Sequence, residues 1–405
     1  MTFQPPKGTR DFLPEEMAKR RKAFDTCRAV FEKYGFGEVD TPVFESLEML
    51  TAKGSLGEEA VKDIYRFEDK SKRKLGLRYD LTVPIVRLFL SQKFSKPVKW
   101  YYINKVWRYE DISKGRWREF SQCDAEIIGS PSAEADSEIL GVAIDCLLSL
   151  GVKDIDVRIN SRKIMDSMAE KAGIKEKDAL FRAIDKLEKK GESEVRKELS
   201  SFANAKQIDI VMKAVRSSSG EPELDGIIAL LPQAYRKFVK QDFSIARGLD
   251  YYTGFIFEIR IKGAESLGSV LGGGRYDRLI EKYGGEPTPA TGFGLGIDRV
   301  IAGMSNTALS EPKGLFIISL SEPAKEKARE LAQELRVAGI VAETDLMGRP
   351  LSKQLDYANK KGVKYTLVIG DKELSSGRAM LRDMKSGKEI QVGLKAKEIA
   401  KTLSA

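Results

Sequence analysis

The stretch VWRYEDISKGRWREFSQCDAEII, residues 106–128, places three arginines among acids and aromatic side chains. It connects two runs of strand-like alternation, Val98–Tyr109 and Glu119–Ile128. Because a buried charge is costly unless it is paired, strands with this composition line a polar cleft more often than a core. For any single arginine, a structural pair with a carboxylate is an equally good interpretation.

Two further groups of residues have the same mixed character. The first group consists of Phe67–Asp69 and Leu77–Thr82. The second consists of Ala246–Gly254, Gly272–Asp277 and Gly292–Arg299. Their glycines match neither the strand–G-x-G-x-x-G–helix pattern of dinucleotide sites nor the G-x-x-x-x-G-K-S/T phosphate loop. A nucleotide site in this chain would therefore have to be built from arginines on a sheet.

The N-terminal half is predicted to alternate helices and strands. Apolar residues at helical spacing predict a helix over about Glu15–Tyr34, ended by Gly35. The next run, Phe36–Glu45, alternates and predicts a strand, with Pro42 at a sheet edge where two subunits could meet. The remaining predicted elements here are strands at Ile64–Phe67 and Gly76–Tyr79 and a helix at Ala133–Leu150.

The second half changes character twice. Ser161–Tyr235 is Lys/Glu-rich and predicts an inserted helical subdomain. Strand patterns return at Phe243–Ile261, Ser269–Tyr276 and Ala290–Ile297. From Gly314 onward strand and helix alternate, which predicts a small α/β domain with a mostly parallel sheet.

Composition restricts the available chemistry. The chain has 405 residues, three cysteines and no histidine. Widely spaced Cys27, Cys123 and Cys146 favour reduced thiols in or near the core over disulfides or a zinc site. Without histidine the commonest general base and metal ligand are both missing. The absence of a long apolar run or a secretory signal predicts a cytoplasmic protein.

The positive charge is concentrated near the C-terminus. Residues 313–405 contain 18 Lys+Arg and 12 Asp+Glu, which accounts for +6 of the net +9. A basic terminal domain indicates a polyanionic partner, nucleic acid being the usual one. A solvated surface of mixed charge explains the excess equally well.

Ordered motifs make a resemblance specific. Pro42 after a long helix, Trp107–Glu110 with Arg118–Phe120, and Gly292–Arg299 resemble the three motifs of class II aminoacyl-tRNA synthetases. The segments RGLDYYTG (247–254) and GGRYD (273–277) are similar to two signatures of the histidyl-tRNA synthetase family. LRYDLTVP (77–84) and QCD (122–124) resemble its archaeal and eukaryotic branch.

This resemblance implies an α+β fold. Its catalytic core has an antiparallel sheet with flanking helices, and a helical insertion and a C-terminal α/β anticodon-binding domain complete the chain. We expect the first part of the catalytic domain at residues 1–160, the insertion at 161–235, the second catalytic part at 236–308 and the anticodon-binding domain at 313–405.

The resemblance also implies the ATP-binding residues. Arg108 and Arg299 would clamp phosphates, for which planar guanidinium groups are suited. Phe120 would stack on adenine. The ATP pocket would be completed by Glu110, Arg116 and Arg118.

The implied histidine-binding residues are Asp80, Thr82, Gln122, Glu126, Arg247, Tyr251, Tyr252 and Tyr276. Asp80, Thr82 and Gln122 offer acceptors for the substrate ammonium group. Glu126 and Tyr252 would bind the two imidazole nitrogens, with Tyr251 and Tyr276 nearby. Arg247 would bridge the substrate carboxylate and the α-phosphate, and it is the implied catalytic residue together with Arg108 and Gln122.

The implied reaction is the activation of histidine with ATP and its transfer to tRNA(His). No general base is needed for activation because the carboxylate is ionised at neutral pH. Mg²⁺ would share the pyrophosphate charge, with no protein ligand assigned to it. A homodimer is also implied.

Other functions stay open at this point. The main alternative is the non-catalytic regulatory subunit of ATP phosphoribosyltransferase in histidine synthesis, which loses the arginine signature and usually the C-terminal domain. A plain nucleic-acid-binding module would not need the ATP-pocket residues. Another class II synthetase would not need the signature at residues 247–252.

Overall fold

The computed structural model describes residues 3–52, 58–113, 115–217, 220–246, 251–304 and 314–404. The chain divides into two compact units, Met1–Leu309 and Ser310–Ala405. Within the described ranges, no helix combines the length and the apolar character that crossing a membrane requires.

The strands of the first unit are β1 (Gly37–Glu38), β2 (Phe44–Ser46), β3 (Arg66–Glu68), β4 (Lys74–Leu77), β5 (Val98–Trp107), β6 (Glu119–Ile128), β7 (Ile155–Ser161), β8 (Val239–Gln241), β9 (Phe255–Ile261), β10 (Ser269–Arg275) and β11 (Ala290–Gly296). Eight of them form one sheet in the order β1-β5-β6-β11-β10-β9-β7-β8. The five central pairings are antiparallel, whereas the edge strands β1 and β8 pair in parallel. The antiparallel core predicted for the fold is confirmed.

The helices of this unit are α1 (Pro14–Lys33), α2 (Leu47–Leu50), α3 (Glu58–Lys62), α4 (Thr82–Leu90), α5 (Ala133–Ser149), α6 (Arg162–Ala172), α7 (Lys177–Asp185), α8 (Leu187–Leu199), α9 (Ala205–Arg216), α10 (Pro222–Leu230), α11 (Gln233–Arg236), α12 (Leu279–Lys282) and α13 (Ile297–Gly303). The stretch predicted to be helical accordingly forms α6–α11. Gly35 follows α1 with a φ of 78°, in the left-handed region that favours glycine.

The two faces of β6 have different environments. Cys123, Ala125 and Ile127 are buried in a core shared with α1 and α5. Successive side chains of a strand point to opposite faces, so Gln122, Asp124 and Glu126 lie on the other face. This alternation separates the apolar core from the polar cleft. The three cysteines are buried free thiols, as predicted.

Two strand predictions in this unit are wrong. Phe36–Glu45 is not one strand, because β1 pairs with β5 in the large sheet while β2 pairs with β4 in a separate sheet of three strands. Pro42 lies in the connection and belongs to no strand. In the range Phe243–Ile261 the described residues before Phe255 form no strand, and β9 takes the last seven residues.

The second unit contains strands β12 (Leu315–Ser319), β13 (Ala342–Thr344), β14 (Tyr365–Ile369), β15 (Arg378–Asp383) and β16 (Glu389–Gly393), with helices α14 (Glu322–Val337), α15 (Leu351–Lys361), α16 (Asp371–Ser376) and α17 (Ala396–Ser404). The sheet order is β13-β12-β14-β15-β16. The pairings of β12 are parallel, but β14–β15 and β15–β16 are antiparallel. The sheet is therefore mixed rather than mostly parallel. The prediction missed the hairpin of β15 and β16, which adds the antiparallel pairings.

Candidate active site

The inner pocket is a cavity of about 170 Å³ on the polar face of β6. Its lining combines the start of α4 and strands β6, β10 and β11 with the segment before β9. Of the predicted site residues that the structure describes, all lie on it except Arg118. Those that line it are Asp80, Thr82, Arg108, Glu110, Arg116, Phe120, Gln122, Glu126, Tyr251, Tyr252, Tyr276 and Arg299.

Glycines on β11 make room for the acidic side chains of β6. Gly292 is in register with Glu126, and a Cβ built on it would lie 1.4 Å from Glu126 Oε2. A Cβ on Gly294 would lie 2.6 Å from Gln122 Nε2. The glycines at positions 292 and 294 therefore have a steric cause: a side chain at either position would occupy the space of a polar group in the pocket.

Glu126 is held by three hydroxyl donors. Its Oε1 accepts from Thr82 Oγ1 at 2.8 Å and from Tyr102 OH at 2.6 Å, and its Oε2 accepts from Tyr276 OH at 2.5 Å. Burial raises the pKa of Glu126 to about 7, although the three hydroxyl donors act in the opposite direction. The carboxyl group can therefore change its charge near neutral pH.

Unsatisfied acceptors lie close to Glu126 along the same wall. Asp80 Oδ2 and Gln122 Oε1 are buried without a hydrogen-bond partner among the described residues. Burial raises the pKa of Asp80 to about 6. A buried polar atom without a partner is rare in proteins, so these two oxygens indicate where a ligand donor would bind.

Three tyrosines close the pocket around Glu126. The ring centroids of Tyr251 and Tyr252 are 4.8 Å apart, and those of Tyr251 and Tyr276 are 5.6 Å apart. All three side chains are buried. Burial, followed by the neighbouring Glu126 carboxylate, raises the pKa of Tyr276 well above its ordinary value, so its hydroxyl stays protonated as a donor.

An outer cleft of about 690 Å³ adjoins the inner pocket. Besides Ser269, the two cavities share four charged residues, Arg108, Glu110, Arg116 and Arg299. We call these four residues the arginine border. Arg108 lies 4.3 Å from the ring centroid of Tyr79 and 5.1 Å from that of Phe120.

Glu110 organises the arginine border. Its carboxylate accepts a hydrogen bond from Arg116 Nε and lies 3.9 Å from Arg108 Nη1. Burial would raise the pKa of Glu110, but the hydrogen bond from Arg116 and the charge of Arg108 outweigh burial and lower it. Glu110 is consequently ionised at neutral pH and pre-orients two guanidinium groups.

A buried ion pair anchors α13, the helix that contains Arg299. Asp298 accepts hydrogen bonds from Arg20 Nη1, from Arg10 Nη2 at 3.0 Å and from the backbone N–H of Ser121 at 2.7 Å. These contacts tie α13 to α1 and to β6. The position of α13, and with it that of Arg299, thus depends on residues more than 270 positions away in the chain, as the Arg20–Asp298 separation of 278 shows.

Arg118 contacts the backbone of Glu110 but lies outside both cavities. Its guanidinium is 3.9 Å from the ring centroid of Tyr109, and its Nε donates to Glu110 O at 3.1 Å. It does not line the inner pocket or the outer cleft. Arg247 lies outside the described residues.

Some arginines of the motifs are structural, which was the alternative interpretation. Arg275 is buried and bonds Asp136 at 2.9 Å, Asp277 at 3.0 Å and two backbone carbonyls. Arg78 is also buried and donates to the carbonyls of Lys105 and Thr41. The motifs of Arg275 and Arg78 still point to the site because the next residue in each motif reaches it. Tyr276 lines the inner pocket, and Tyr79 lines the outer cleft.

The sequence prediction missed Asp124 and Tyr102. Asp124 lines the inner pocket, and its Oδ1 accepts from Leu295 N at 3.0 Å. The strand periodicity of Gln122, Asp124 and Glu126 could have indicated it. Nothing local distinguishes Tyr102 from Tyr101, because only the pairing of β5 with β6 decides which tyrosine reaches Glu126.

Comparisons with known proteins agree with this geometry. A family model described as histidyl-tRNA synthetase matches residues 8–300, and one described as an anticodon binding domain matches residues 315–405. The histidine–tRNA ligase of Pyrococcus furiosus is 40% identical over 420 residues, which cover 95% of either chain. That of Methanocaldococcus jannaschii is 37% identical and covers 97% of this chain and 98% of its own.

A solved structure supports the same assignment. The histidyl-tRNA synthetase from Nostoc sp. PCC 7120 superposes with a TM-score of 0.84 at 27% identity, and covers 100% of this chain and 99% of its own. Both sequence relatives are archaeal, which agrees with the branch that the QCD segment indicated. With family models that together span nearly the whole chain, the protein belongs to the histidyl-tRNA synthetase family.

Proposed function

We propose that this chain activates L-histidine with ATP to histidyl-adenylate and transfers the histidyl group to the 3′ end of tRNA(His), releasing AMP and pyrophosphate. The observation that supports this most is the junction of an acceptor-lined inner pocket with the arginine border. One cavity suits an amino acid with an ammonium and an imidazole group, and the other suits a polyphosphate.

The regulatory-subunit alternative is less well supported. That class loses the arginine signature and usually the C-terminal domain, whereas the sequence of this chain retains RGLDYYTG at residues 247–254 and matches an anticodon-binding model over residues 315–405. Its archaeal relatives carry the name histidine–tRNA ligase.

At the inner end, the buried acceptors would bind the substrate ammonium group. Asp80 Oδ2 and Gln122 Oε1 would gain the partners that they lack in the described structure, and Thr82 Oγ1 could accept a further hydrogen bond. Glu126 and Tyr252 would bind the imidazole nitrogens, one as acceptor and one as donor. A site built to hydrogen-bond its substrate rejects analogues without those groups by roughly 10⁴–10⁵.

At the outer end, Arg108 and Arg299 would hold ATP phosphates and Phe120 would stack on adenine, with Glu110 and Arg116 completing the pocket. The substrate carboxylate attacks the α-phosphorus, a new C–O–P linkage forms, and pyrophosphate leaves. The resemblance alone assigns Arg247 to the bridge between carboxylate and α-phosphate and Arg118 to the ATP pocket.

ATP is a substrate of this family, and we propose Mg²⁺ as its companion ion. No group of three or more acidic or cysteine side chains placed to hold a metal occurs in the described part of the chain. Mg²⁺ commonly uses one or two carboxylates with substrate phosphates and water, and ionised Glu110 at the arginine border fits that pattern. The bound ion would neutralise charge on the departing pyrophosphate.

We also propose that the chain has four parts, at residues 1–160, 161–235, 236–308 and 313–405. The protein is proposed to be cytoplasmic, with tRNA(His) as its partner. A homodimer is supported by the exposed apolar side chains of Phe44 and Phe67 on the three-stranded sheet and of Val43 just before it.

Histidine-dependent exchange of pyrophosphate into ATP tests the activation step. We expect exchange with histidine and none with other amino acids, followed by charging of a tRNA(His) transcript. Absence of exchange, or faster exchange with another amino acid, would refute the proposed function. Exchange without charging would restrict it to activation.

A further inference from the structure

Tyr102 lies behind the inner pocket rather than on it. It is 2% exposed and is absent from the pocket lining, yet its hydroxyl donates to Glu126 Oε1 at 2.6 Å. Its neighbour Tyr101 points to the opposite face of β5, where its hydroxyl lies 3.1 Å from both Glu32 and Glu38. The two tyrosines are equally buried, but only one contacts the pocket.

The hydrogen bonds to Glu126 are unevenly divided between its two oxygens. Oε1 accepts from both Thr82 and Tyr102, whereas Oε2 accepts from Tyr276 alone among the residues that the structure describes. A carboxylate oxygen has two lone pairs, so Oε1 is saturated and one acceptor site remains on Oε2. Gly292 packs against Oε2 without a side chain that would block it.

We propose that Tyr102 is a positioning residue for the amino-acid substrate. Its hydroxyl fixes the Glu126 carboxylate in the orientation that leaves one lone pair of Oε2 as the sole remaining acceptor for an imidazole N–H. Tyr102 touches no substrate and acts only through Glu126. This inference rests on the proposed function, because it presumes that the ligand of Glu126 is histidine.

A second consequence concerns the charge of Glu126. Hydrogen bonds to a carboxylate stabilise its ionised form, and the Tyr102 hydroxyl accordingly lowers the pKa of Glu126 against the effect of burial. Removing the hydroxyl should shift ionisation of Glu126 to higher pH. An imidazole N–H binds best to the ionised carboxylate, so histidine affinity should follow this shift.

The test compares Tyr102→Phe with the matched control Tyr101→Phe in the full-length protein by histidine-dependent pyrophosphate exchange. Loss of a buried hydrogen bond to a charged group predicts that KM for histidine rises about 10-fold in Tyr102→Phe. KM for ATP and kcat should stay at their wild-type values. The pH at which histidine affinity is half-maximal should increase in Tyr102→Phe alone.

Equal values of KM for histidine and equal pH profiles in the two variants would overturn the inference. So would an unfolded Tyr102→Phe beside a folded Tyr101→Phe in thermal unfolding, since the hydroxyl would then serve the core. A further check adds Glu126→Gln. If Tyr102 acts through Glu126, Tyr102→Phe should change KM for histidine much less in the Glu126→Gln background, and an undiminished effect there would contradict the proposal.

Failure of the inference is distinguishable from failure of the proposed function. If wild-type protein shows no histidine-dependent exchange, the function itself is wrong. If wild-type exchange is present but the two tyrosine variants behave alike, only the role of Tyr102 is wrong.

Discussion

Glu126 and Glu110 are the same kind of side chain at opposite ends of one cleft, and their environments shift their pKa values in opposite directions. Glu126 is surrounded by hydroxyl donors, and burial raises its pKa to about 7. Glu110 is partly buried too, but the guanidinium groups of Arg116 and Arg108 lower its pKa. The comparison shows that burial at one end and paired guanidinium groups at the other, rather than the residue type, decide the charge.

This difference separates two tasks within one active site. The inner pocket presents acceptors, and among the described residues the donors bonded to Glu126 are hydroxyl groups, which suits a ligand that brings its own donors. The arginine border presents cations already held in place, which suits phosphate groups. Breaking either end should therefore affect one substrate more than the other.

The largest effect is expected at the arginine border. Arg108→Ala should reduce the rate of histidine-dependent exchange by roughly 10²–10³, by analogy with loss of one pre-organised donor to developing charge. Single-turnover formation of the adenylate measures it. Arg28→Ala, an exposed arginine on α1 paired with Asp25 and Glu38, is the control. An unchanged rate in Arg108→Ala would remove this residue from the chemistry.

The charge of the inner pocket should be visible as pH-dependent stability. Glu126 has a pKa of about 7 in the folded chain against 4.5 ordinarily, so the folded state binds more protons between these values. The stability that this difference contributes is present below pH 4.5 and is lost as pH rises towards 7, by about 3 kcal/mol.

Denaturant unfolding of wild-type protein and Glu126→Gln across this pH range isolates the effect. The wild-type free energy of unfolding should fall relative to that of the variant as pH rises. Because the chain has no histidine, no imidazole titrates in the same range. A constant difference between the two proteins would mean that Glu126 has an ordinary pKa.

At neutral pH, Glu126→Gln should affect histidine rather than ATP. Loss of a charged acceptor predicts a 10- to 100-fold increase in KM for histidine, about 1.5–3 kcal/mol, with KM for ATP unchanged. Glu119→Gln, on the same strand but bonded to Lys105 and Trp107 away from the pocket, serves as control. If KM for ATP rose equally, the two ends of the cleft would not be functionally separate.

The smallest effect is expected from the glycine that faces Glu126. Gly292→Ala would place a methyl group where Glu126 Oε2 lies and should cost about 1–3 kcal/mol of stability, with weaker histidine binding. Gly226→Ala, in α10 with open space around its Cβ, should be neutral or slightly stabilising. Thermal unfolding compares them. Similar melting temperatures for both variants would show that β11 can shift away.

Local patterns predicted much of this molecule correctly. The strands β6 and β11 and the helices α1 and α5 follow alternation or helical spacing, which depends only on neighbouring residues. The hairpin of β15 and β16 was missed. The single strand predicted around Pro42 was wrong, because the partners of β1 and β2 lie in different sheets.

The sequence by itself determined the family, the order of its motifs and the placement of Gln122 and Glu126 on one face of a strand, because strand periodicity is local. Only the tertiary structure decided which side chains meet across long separations. In it, Tyr102 donates a hydrogen bond to Glu126, the guanidinium of Arg118 packs over the ring of Tyr109, and Arg20 pairs with Asp298. These contacts depend on strand register and helix packing, which no short stretch of sequence encodes.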